Sequence, residues 1–277
     1  MTVIIICGAA LAAAVGVAVI IRFRPLWFFG VLSSMRKAEK RLLREAEYSP
    51  DEIEKIQTAG EESANYTNVL YIVNARCTIG ENEDFGVVDF DGTHEVAGCM
   101  YEPLSRLMSD VKKKFGMDLL LTSTYRTHDE QEKIYASNPY AVPAGTSEHE
   151  TGLAADMKFD GYAHGRFLWT RAGRWVNRHA HEYGFIMRYP FWGKRSTGIS
   201  YEPWHIRYVG APHAELITRA KVTLEEYAGL FEDGKYYVFE GHLISRQTGE
   251  LVFPQGSDDV TVSPDNNGGY FIWGKWK

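Results

Sequence analysis

The sequence predicts an α+β protein in which a small mixed or antiparallel sheet is flanked by helices. Three observations lead to this class: an uncharged stretch opens the chain, strand-like and helix-like segments follow one another through the middle, and closely spaced turn residues dominate the end. We divide the chain where these patterns change. The predicted units are a transmembrane helix (1–22), a juxtamembrane helical stalk (23–67), a main domain (68–228) and a small β extension (229–277).

Composition and charge narrow the classes of function. Of the 277 residues, 45% are apolar and 24% are charged, as in ordinary globular proteins. The formal net charge is −6. Because a polyanion is attracted by basic proteins, this balance gives no reason to expect a nucleic-acid partner.

The first unit is an apolar span. Val3–Ile21 contains nineteen residues without a charge, which is long enough to cross a bilayer as a helix. A cleaved secretory signal is the rival interpretation, but no basic segment precedes the stretch and the stretch exceeds the usual apolar length of a signal. A buried core helix is a weaker alternative at this position. We therefore expect a single-pass anchor in the cell membrane.

The orientation of this anchor is left open by conflicting signals. Seven basic residues follow the span, and the positive-inside tendency would place them in the cytoplasm. Large domains, however, cross membranes largely regardless of their charge. The basic residues are Arg22, Arg24, Arg36, Lys37, Lys40, Arg41 and Arg44.

The stalk is predicted to be polar and helical. Phe23–Val31 is aromatic and basic, as is typical of a membrane interface. Met35–Glu47 is predicted as a charged helix. A second helix is predicted to begin at Ser49–Glu52, where a proline lies in the first turn and acidic residues lie near the helix start.

The main domain alternates strands and helices. Strands are predicted for short apolar runs between turn residues, at 68–74, 85–90, 118–124, 153–159, 185–189 and 201–209. Helices are predicted at 100–115, from Thr127 onward, at 170–183, after Pro212 and at 224–227. Gly116 is expected to end the first of these helices, and Thr127 to cap the start of the second.

The extension is predicted as a small β module with strands at 235–239, 250–254, 259–263 and 269–273. Its aromatic residues either pack the module against the main domain or hold a glycan or protein partner, and we favour packing. They are Tyr270, Phe271, Trp273 and Trp276.

Two cysteines lie in the main domain, at Cys77 and Cys99. If the domain is outside the cell, a disulfide between them is possible. Otherwise, both are expected to be small buried hydrophobic residues.

Two short segments concentrate the chemistry of a catalytic zinc site. The first contains His149 and Asp156, and the second contains Glu202 and His205. A catalytic zinc ion takes three nitrogen or oxygen ligands from the protein, leaves a fourth position open, and is accompanied by a carboxylate that acts as a base. In isolation, such a histidine would more often belong to the core and such an aspartate would more often cap a turn.

The spacing sets the geometry that such a site requires. Seven residues on one helix would separate His149 and Asp156 by about 10.5 Å, too far to share an ion. A turn at Gly152 followed by a strand would bring them together, and a second strand would carry His205. Glu202 precedes a proline, which favours an extended backbone, so it is expected to reach a water on the ion and not the ion itself.

Other polar residues follow the predicted strand at 118–124. Arg126 lies at a junction between strand and helix, and its guanidinium matches a carboxylate through two parallel hydrogen bonds. A surface salt bridge is the alternative role for a lone arginine. Gln131 could face solvent from its helix, and Ser123 could either contact a substrate or close the end of the strand.

These segments together resemble one family. Ser123–Arg126 with Gln131, Ser147–Asp156, and Glu202–His205 are similar, in this order and spacing, to the VanY-type D-alanyl-D-alanine carboxypeptidases. That family is part of a metallopeptidase group that also contains VanX dipeptidases and L,D-carboxypeptidases. The resemblance covers about residues 68–228.

The resemblance implies a zinc cleft and roles for its residues. His149, Asp156 and His205 would be the zinc ligands, Glu202 the catalytic base, and Arg126 the cation that binds the substrate and offsets charge in the transition state. Gln131, Ser147 and Ser123 would contact the substrate, although Ser147 is nearly as well explained as a turn residue. At the position after the first histidine, the usual glutamine is Glu150 here.

The implied substrate is a peptidoglycan stem peptide that ends in D-alanine, which favours an extracytoplasmic main domain. The motifs do not separate a D,D-carboxypeptidase from an L,D-carboxypeptidase or a stem-peptide endopeptidase. A non-catalytic module that binds the cell wall is an alternative of a different class. Against it, all four residues of the proposed metal centre are present.

Overall fold

The computed structural model describes residues 14–39, 41–56, 65–80 and 83–276. It contains helices and sheets in a mixed arrangement. The helices are α1 (Ala14–Phe23, its described part), α2 (Pro25–Ser34), α3 (Gly98–Phe115), α4 (His128–Ser137), α5 (Arg171–His179), α6 (Lys194–Thr197), α7 (His213–Ala220) and α8 (Leu224–Tyr227). The strands are β1 (Arg44–Ala46), β2 (Ile53–Lys55), β3 (Asn65–Tyr66), β4 (Val87–Asp89), β5 (Glu95–Ala97), β6 (Leu120–Ser123), β7 (Ala154–Lys158), β8 (Phe185–Met187), β9 (His205–Tyr208), β10 (Tyr236–Phe239), β11 (His242–Gln247), β12 (Val252–Pro254), β13 (Asp258–Pro264) and β14 (Tyr270–Lys275).

A four-stranded antiparallel sheet organises the main domain, in the order β6-β7-β9-β8. Helix α3 covers it with an apolar stripe at helical spacing. The stripe consists of Met100, Leu104, Leu107 and Val111, all fully buried. The predicted helix and these strands are therefore confirmed.

The end of α3 and the start of α4 have the capping residues that the sequence predicts. Gly116 adopts the left-handed conformation at the end of α3, with φ of 67°. Thr127 and Glu130 form a reciprocal capping box at the start of α4. The predicted helix at 170–183 is α5 followed by a 3₁₀ turn at Ala180–Tyr183.

The predicted strand at 68–74 is wrong, although its residues 69–73 are buried as expected. Side chains from elsewhere in the protein, and not a neighbouring strand, donate hydrogen bonds to the backbone carbonyls of this segment. The guanidinium of Arg207 donates to the carbonyls of Val69 and Tyr71, and Asn266 donates to the carbonyl of Ile72. An apolar run alone does not distinguish a buried strand from a buried irregular segment.

The helical stalk is also corrected beyond α2. A six-stranded sheet has the order β1-β10-β11-β14-β13-β3, so two strands from the predicted stalk complete the C-terminal sheet. A third, β2, pairs with β12. The charged composition of 35–55 favours a helix locally, but pairing with strands far along the chain supplies the backbone partners that decide its structure.

Packing of the extension confirms the role expected for two of its aromatic residues. Phe271 and Trp273 are buried, whereas Tyr270 and Trp276 are each 40% exposed. The His213 ring on α7 meets Trp273 edge to face at 4.4 Å. These contacts join the C-terminal sheet to the main domain.

The predicted membrane span falls largely on residues 1–13, which lie outside the described residues. From residue 14 onward, no single described helix combines the length and apolar composition needed to cross a bilayer. The pair α1 and α2 meets both criteria when taken together, but its axes are bent by 112° at Arg24.

The two main-domain cysteines are free thiols. Cys77 is half-buried and Cys99 lies at the surface, so the possible disulfide does not form in this structure.

Buried His213 makes the fold sensitive to acid. Burial lowers its pKa to about 3, against about 6.5 in an unfolded chain. Below pH 6.5 the unfolded chain therefore binds a proton that the native protein does not, and stability falls as the pH is lowered. Between pH 7 and pH 5 this group should remove about 2 kcal/mol from the free energy of unfolding.

Urea unfolding of wild type and His213→Gln at both pH values measures this contribution. The loss of stability on acidification should be about 2 kcal/mol smaller in the variant. The exposed histidine variant His128→Gln should behave as the wild type does. Equal losses in wild type and His213→Gln would contradict the assignment.

Candidate active site

The central sheet aligns three of the predicted side chains. Asp156 on β7 lies opposite His205 on β9 and, on its other side, opposite Ser123 on β6. Directly opposed residues on antiparallel strands present their side chains on one face, about 5 Å apart. The register therefore brings Asp156 and His205 together from positions 49 residues apart.

A tight turn delivers the remaining histidine. His149 lies in a 3₁₀ turn, Glu148–Thr151, that ends at Gly152 with φ of 66°. A Cβ at Gly152 would lie 2.7 Å from the backbone nitrogen of Ala97, so both the conformation and the space require glycine. The reversal predicted at this residue is confirmed, and β7 begins two residues later.

One ligand atom from each of His149, Asp156 and His205 lies within 4.8 Å of the other two. Nε2 of His149 is 3.4 Å from Oδ2 of Asp156, and Nδ1 of His205 is 2.9 Å from Oδ1 of the same carboxylate. Two imidazole nitrogens and a carboxylate are a donor set that zinc accepts.

The outer nitrogen of His149 has a hydrogen-bond partner on the side away from the cluster. Nδ1 of His149 lies 2.7 Å from the carbonyl oxygen of Thr124, so a proton there would leave Nε2 free to face the cluster. Such a hydrogen bond to the far nitrogen is the usual support for a metal-binding histidine. This arrangement fits a metal ion between the three side chains.

Charge at the cluster favours the ionised carboxylate. Burial would raise the pKa of Asp156, but His149 and His205 lower it well below its ordinary value. Asp156 keeps 18% of its side chain exposed, against 6% and 4% for the histidines. The cluster therefore opens to solvent on the side of Asp156.

Glu202 lines the same cleft as the three clustered side chains. Its backbone nitrogen donates to the carbonyl of Tyr189, and its carbonyl accepts from the nitrogen of His205. Burial raises the pKa of its carboxyl group. A second acidic side chain therefore lies in the cleft beside the cluster and is not one of its three members.

Arg126 also lines the cleft and is held by two of the predicted residues. Its Nε donates to Oγ of Ser123 at 2.8 Å, and its Nη1 donates to Oε1 of Gln131 at 2.9 Å. Nη2 lies 3.9 Å from Oδ2 of Asp156. Gln131 is buried and lines the cleft, whereas Ser123 does not line it and instead supports the guanidinium.

The cleft has a volume of about 440 Å³, which is sufficient for a small peptide end. Ser147 is buried in its wall, and half-buried Val142 of the loop at 138–147 also lines it. This loop forms one wall of the cleft. Trp204 both lines the cleft and packs on the core.

Glu150 holds this loop in place. Its carboxylate accepts hydrogen bonds from the backbone nitrogen of Gly145 at 2.8 Å and lies 3.0 Å from Nδ1 of His128. The acidic residue at this position therefore acts on the loop and not on the cluster.

A buried ion cluster, which was not predicted from the sequence, lies behind the two histidines. Oε1 of Glu148 accepts from Arg188 at 2.5 Å and from Arg207 at 2.8 Å. Arg188 also forms a two-pronged ion pair with Glu225 on α8. Burial would raise the pKa of Glu148, but the two arginines hold it well below its ordinary value.

Glu148 connects the ion cluster to the candidate metal ligands through His205. Oε2 of Glu148 and Nε2 of His205 are 3.6 Å apart, and neither has a closer polar partner among the described side chains and backbone. A proton on Nε2 would face the carboxylate and leave Nδ1 toward Asp156. A charged residue next to a candidate ligand was the available signal, but only the burial of both arginines reveals its role.

A second missed residue is Tyr189. Its ring lies 4.8 Å from that of His205, and it lines the cleft. Nothing in its sequence neighbourhood distinguishes it from a core tyrosine.

A small antiparallel sheet flanked by helices, with a candidate metal-binding triad in an open cleft beside a separate carboxylate, is typical of metallopeptidases. A sequence model for VanY, D-alanyl-D-alanine carboxypeptidase, matches residues 93–211. A D-alanyl-D-alanine carboxypeptidase of Enterococcus faecalis is 31% identical over 193 residues, which cover 62% of this chain and 70% of the relative. The chain belongs to the VanY family.

Other comparisons agree in fold and sequence. A D-alanyl-D-alanine carboxypeptidase of Enterococcus faecium is 38% identical over 136 residues, covering 48% of this chain and 44% of the relative. A zinc-bound structure of the D,D-pentapeptidase VanY has 30% identity and a TM-score of 0.51, covering 58% of this chain and 98% of that one. The LD-carboxypeptidase LdcB has 32% identity and a TM-score of 0.53, covering 58% and 86%.

The chain spans about half the length of the first two curated relatives that it matches.

The ion cluster behind the site should be essential for stability. Glu148→Gln removes the charge that compensates two fully buried arginines, and leaving a buried charge without its partner costs about 3–5 kcal/mol. Urea unfolding in the presence of a chelator measures the loss independently of metal. Glu182→Gln, at an exposed carboxylate, should change stability by less than about 1 kcal/mol; a similarly small effect of Glu148→Gln would contradict the interpretation.

Proposed function

We propose that this chain is a zinc-dependent D,D-carboxypeptidase that removes the terminal D-alanine from peptidoglycan stem peptides. The observation that carries the proposal is the convergence of His149, Asp156 and His205 in an open cleft that also contains Glu202 and Arg126. The VanY relatives support this activity over others of the same fold.

Zinc is the proposed cofactor because the donor set and the supported histidines suit it. Nε2 of His149, the carboxylate of Asp156 and Nδ1 of His205 would hold the ion. When bound, zinc supplies a water of lowered pKa and a positive charge that polarises a carbonyl group.

Glu202 is the proposed base. Its carboxylate would accept a proton during attack on the scissile carbonyl and later deliver it to the leaving amine of D-alanine. Its backbone bonds to Tyr189 and His205 fix it at the edge of the cluster.

Arg126 is the proposed substrate cation. The guanidinium matches the terminal carboxylate of a stem peptide, and it could also offset negative charge that develops at the scissile carbonyl. Ser123 and Gln131 hold it from one side, so we propose that they position the cation. Ser147 and Gln131 lie where they could contact the substrate.

Glu202→Gln tests the base. The substitution should reduce the rate of D-alanine release from a stem pentapeptide by about 10²–10⁴-fold and leave the zinc content unchanged, because Glu202 is not a proposed ligand. Product release is measured by mass spectrometry, and zinc by elemental analysis. A variant that keeps the full rate would refute the role.

His149→Ala tests the metal site. One of three protein ligands is lost, so bound zinc should fall far below one ion per chain and activity should disappear with it. The matched variant His94→Ala, at a histidine outside the cleft, should retain both. Full zinc content in His149→Ala would exclude it as a ligand.

An L,D-carboxypeptidase is the second candidate, favoured by the likeness to LdcB. Incubation with stem pentapeptide and tetrapeptide separates the two: the D,D-enzyme shortens the pentapeptide, and the L,D-enzyme shortens the tetrapeptide. Cleavage inside a longer stem would instead indicate an endopeptidase. A chain that binds cell wall but neither zinc nor these peptides would be a binding module.

We further propose that the chain is a single-pass membrane protein with its main domain outside the cytoplasm. The uncharged sequence at Val3–Ile21 and the peptidoglycan substrate support this orientation, whereas the basic residues after the span oppose it. An alkaline-phosphatase fusion at the C-terminus should be active. An inactive fusion would place the domain inside.

A further inference from the structure

A second cavity lies behind the active-site cleft. It has a volume of about 240 Å³ and separates residues 33–39, which follow α2, from the face of the main domain formed by α5, β8 and α7. The segment that carries Glu202 lies between the two: Tyr201 lines this rear cavity, and Glu202 lines the cleft. The rear cavity is therefore separate from the proposed catalytic residues.

The rear cavity has an apolar floor and a cationic rim. Phe185, Ile186 and Ile217 are buried at its base. The basic residues around it are Arg36, Lys37, Arg178, Arg219 and Lys221, and Glu39 is the one carboxylate among the lining residues that the structure describes.

Two of the basic residues around the cavity already have polar partners. Arg219 forms ion pairs with Glu39, Glu215 and Glu240. The ammonium of Lys221 donates to the backbone carbonyls of Ser34 and Arg36. These contacts fasten residues 33–39 to α7 and so build one wall of the cavity.

Arg36 and Arg178 differ from these cations. Neither guanidinium forms an ion pair or a hydrogen bond with any side chain or carbonyl in the described part of the chain, and both are exposed. Burial and the neighbouring charge of Arg178 lower the pKa of Arg36. Two guanidinium groups that face one space without a counter-charge repel each other, and an anion between them would relieve the repulsion.

A smaller cavity of about 110 Å³ shares this pair and adds Arg174. Arg174 is fixed by hydrogen bonds to the carbonyls of Leu168 and Trp169, at 2.7 and 2.9 Å. Its charge adds to that of Arg178, four residues later on α5. The free cations therefore form a cluster built by α5 and the segment after α2.

The surroundings indicate where the anion comes from. Helix α2 packs one face closely on the main domain, since a Cβ at Gly30 would lie 2.1 Å from the ring of Phe191. Other positions on α2 leave large apolar side chains exposed, at Trp27 and Leu32, and Met35 follows the helix with its side chain exposed as well. Exposed apolar side chains beside a basic cluster are typical of a surface that contacts anionic lipid.

We propose that Arg36 and Arg178 bind the phosphate headgroup of an anionic membrane lipid, while the exposed apolar side chains of α2 contact its acyl region. The lipid as the source of the phosphate rests on the membrane attachment proposed above. Binding at this position would fix which side of the main domain faces the bilayer, because the cluster joins α2 to α5. The catalytic cleft lies on the other side of residues 201–202.

The test uses the 277-residue chain in detergent, with equimolar phosphatidylglycerol and phosphatidylcholine, and measures retained lipid by native mass spectrometry. Wild type should retain phosphatidylglycerol with a preference of about thirtyfold, the size expected when two cations contact one anionic lipid. The double variant Arg36→Glu, Arg178→Glu should lose the preference. The charge-matched variant Arg76→Glu, Lys133→Glu, at exposed residues outside both cavities, should keep it.

Several results would overturn the proposal. It fails if wild type shows no preference for phosphatidylglycerol, or if the matched variant loses as much of this preference as the double variant. It also fails if inorganic phosphate binds to the chain while the preference for phosphatidylglycerol is absent. Should the charge reversals prevent folding, Arg178→Gln, which removes one charge without reversing it, should still reduce the preference severalfold. Partition of the chain into vesicles is measured separately, so failure of membrane attachment is distinguishable from failure of the headgroup site.

Discussion

The ion cluster around Glu148 is the interaction on which the rest of the structure depends. Arg207 lies on β9, and Arg188 directly follows the neighbouring strand β8. Glu225 lies on α8. The buried carboxylate of Glu148 therefore joins the 3₁₀ turn to the sheet and, through Arg188, to a distant helix. Arg207 extends the cluster to the carbonyls of residues 69 and 71. Burying so many charges is costly unless each is paired, and here the pairing fixes the backbone on both sides of the candidate metal-binding triad.

The central sheet supplies the second constraint. Because Asp156 and His205 are opposed in one register, a slip of one residue would turn either side chain to the other face of the sheet. His149 approaches from outside the sheet, on a turn whose end packs against Ala97. Register, turn and ion cluster together bring three side chains within 4.8 Å of one another.

Two neighbouring stretches, 189–190 and 201–202, separate the cleft from the rear cavity. Tyr189 and Glu202 line the cleft, whereas the adjacent Pro190 and Tyr201 line the rear cavity. A backbone hydrogen bond from Glu202 to Tyr189 joins the two extended stretches. Glu202, the proposed base, therefore lies between the cleft and the surface that we assign to the membrane side.

The sequence by itself determined the local elements and the chemistry of the site. Helical spacing located α3, the capping residues located its end and the start of α4, and the histidines, carboxylates and Arg126 were recognised from their types and order. These features depend on neighbours a few residues away, which a linear pattern records.

Only the tertiary structure decided what depends on distant partners. Residues 44–46 are an edge strand because β10 offers them backbone hydrogen bonds, and residues 69–73 are irregular because Arg207 and Asn266 take the place of a neighbouring strand. The role of Glu148 was likewise hidden, as was the lack of an ion pair at Arg36 and Arg178 within the described residues. A charge is compensated or left free by groups far along the chain, and burial sets how much that difference costs.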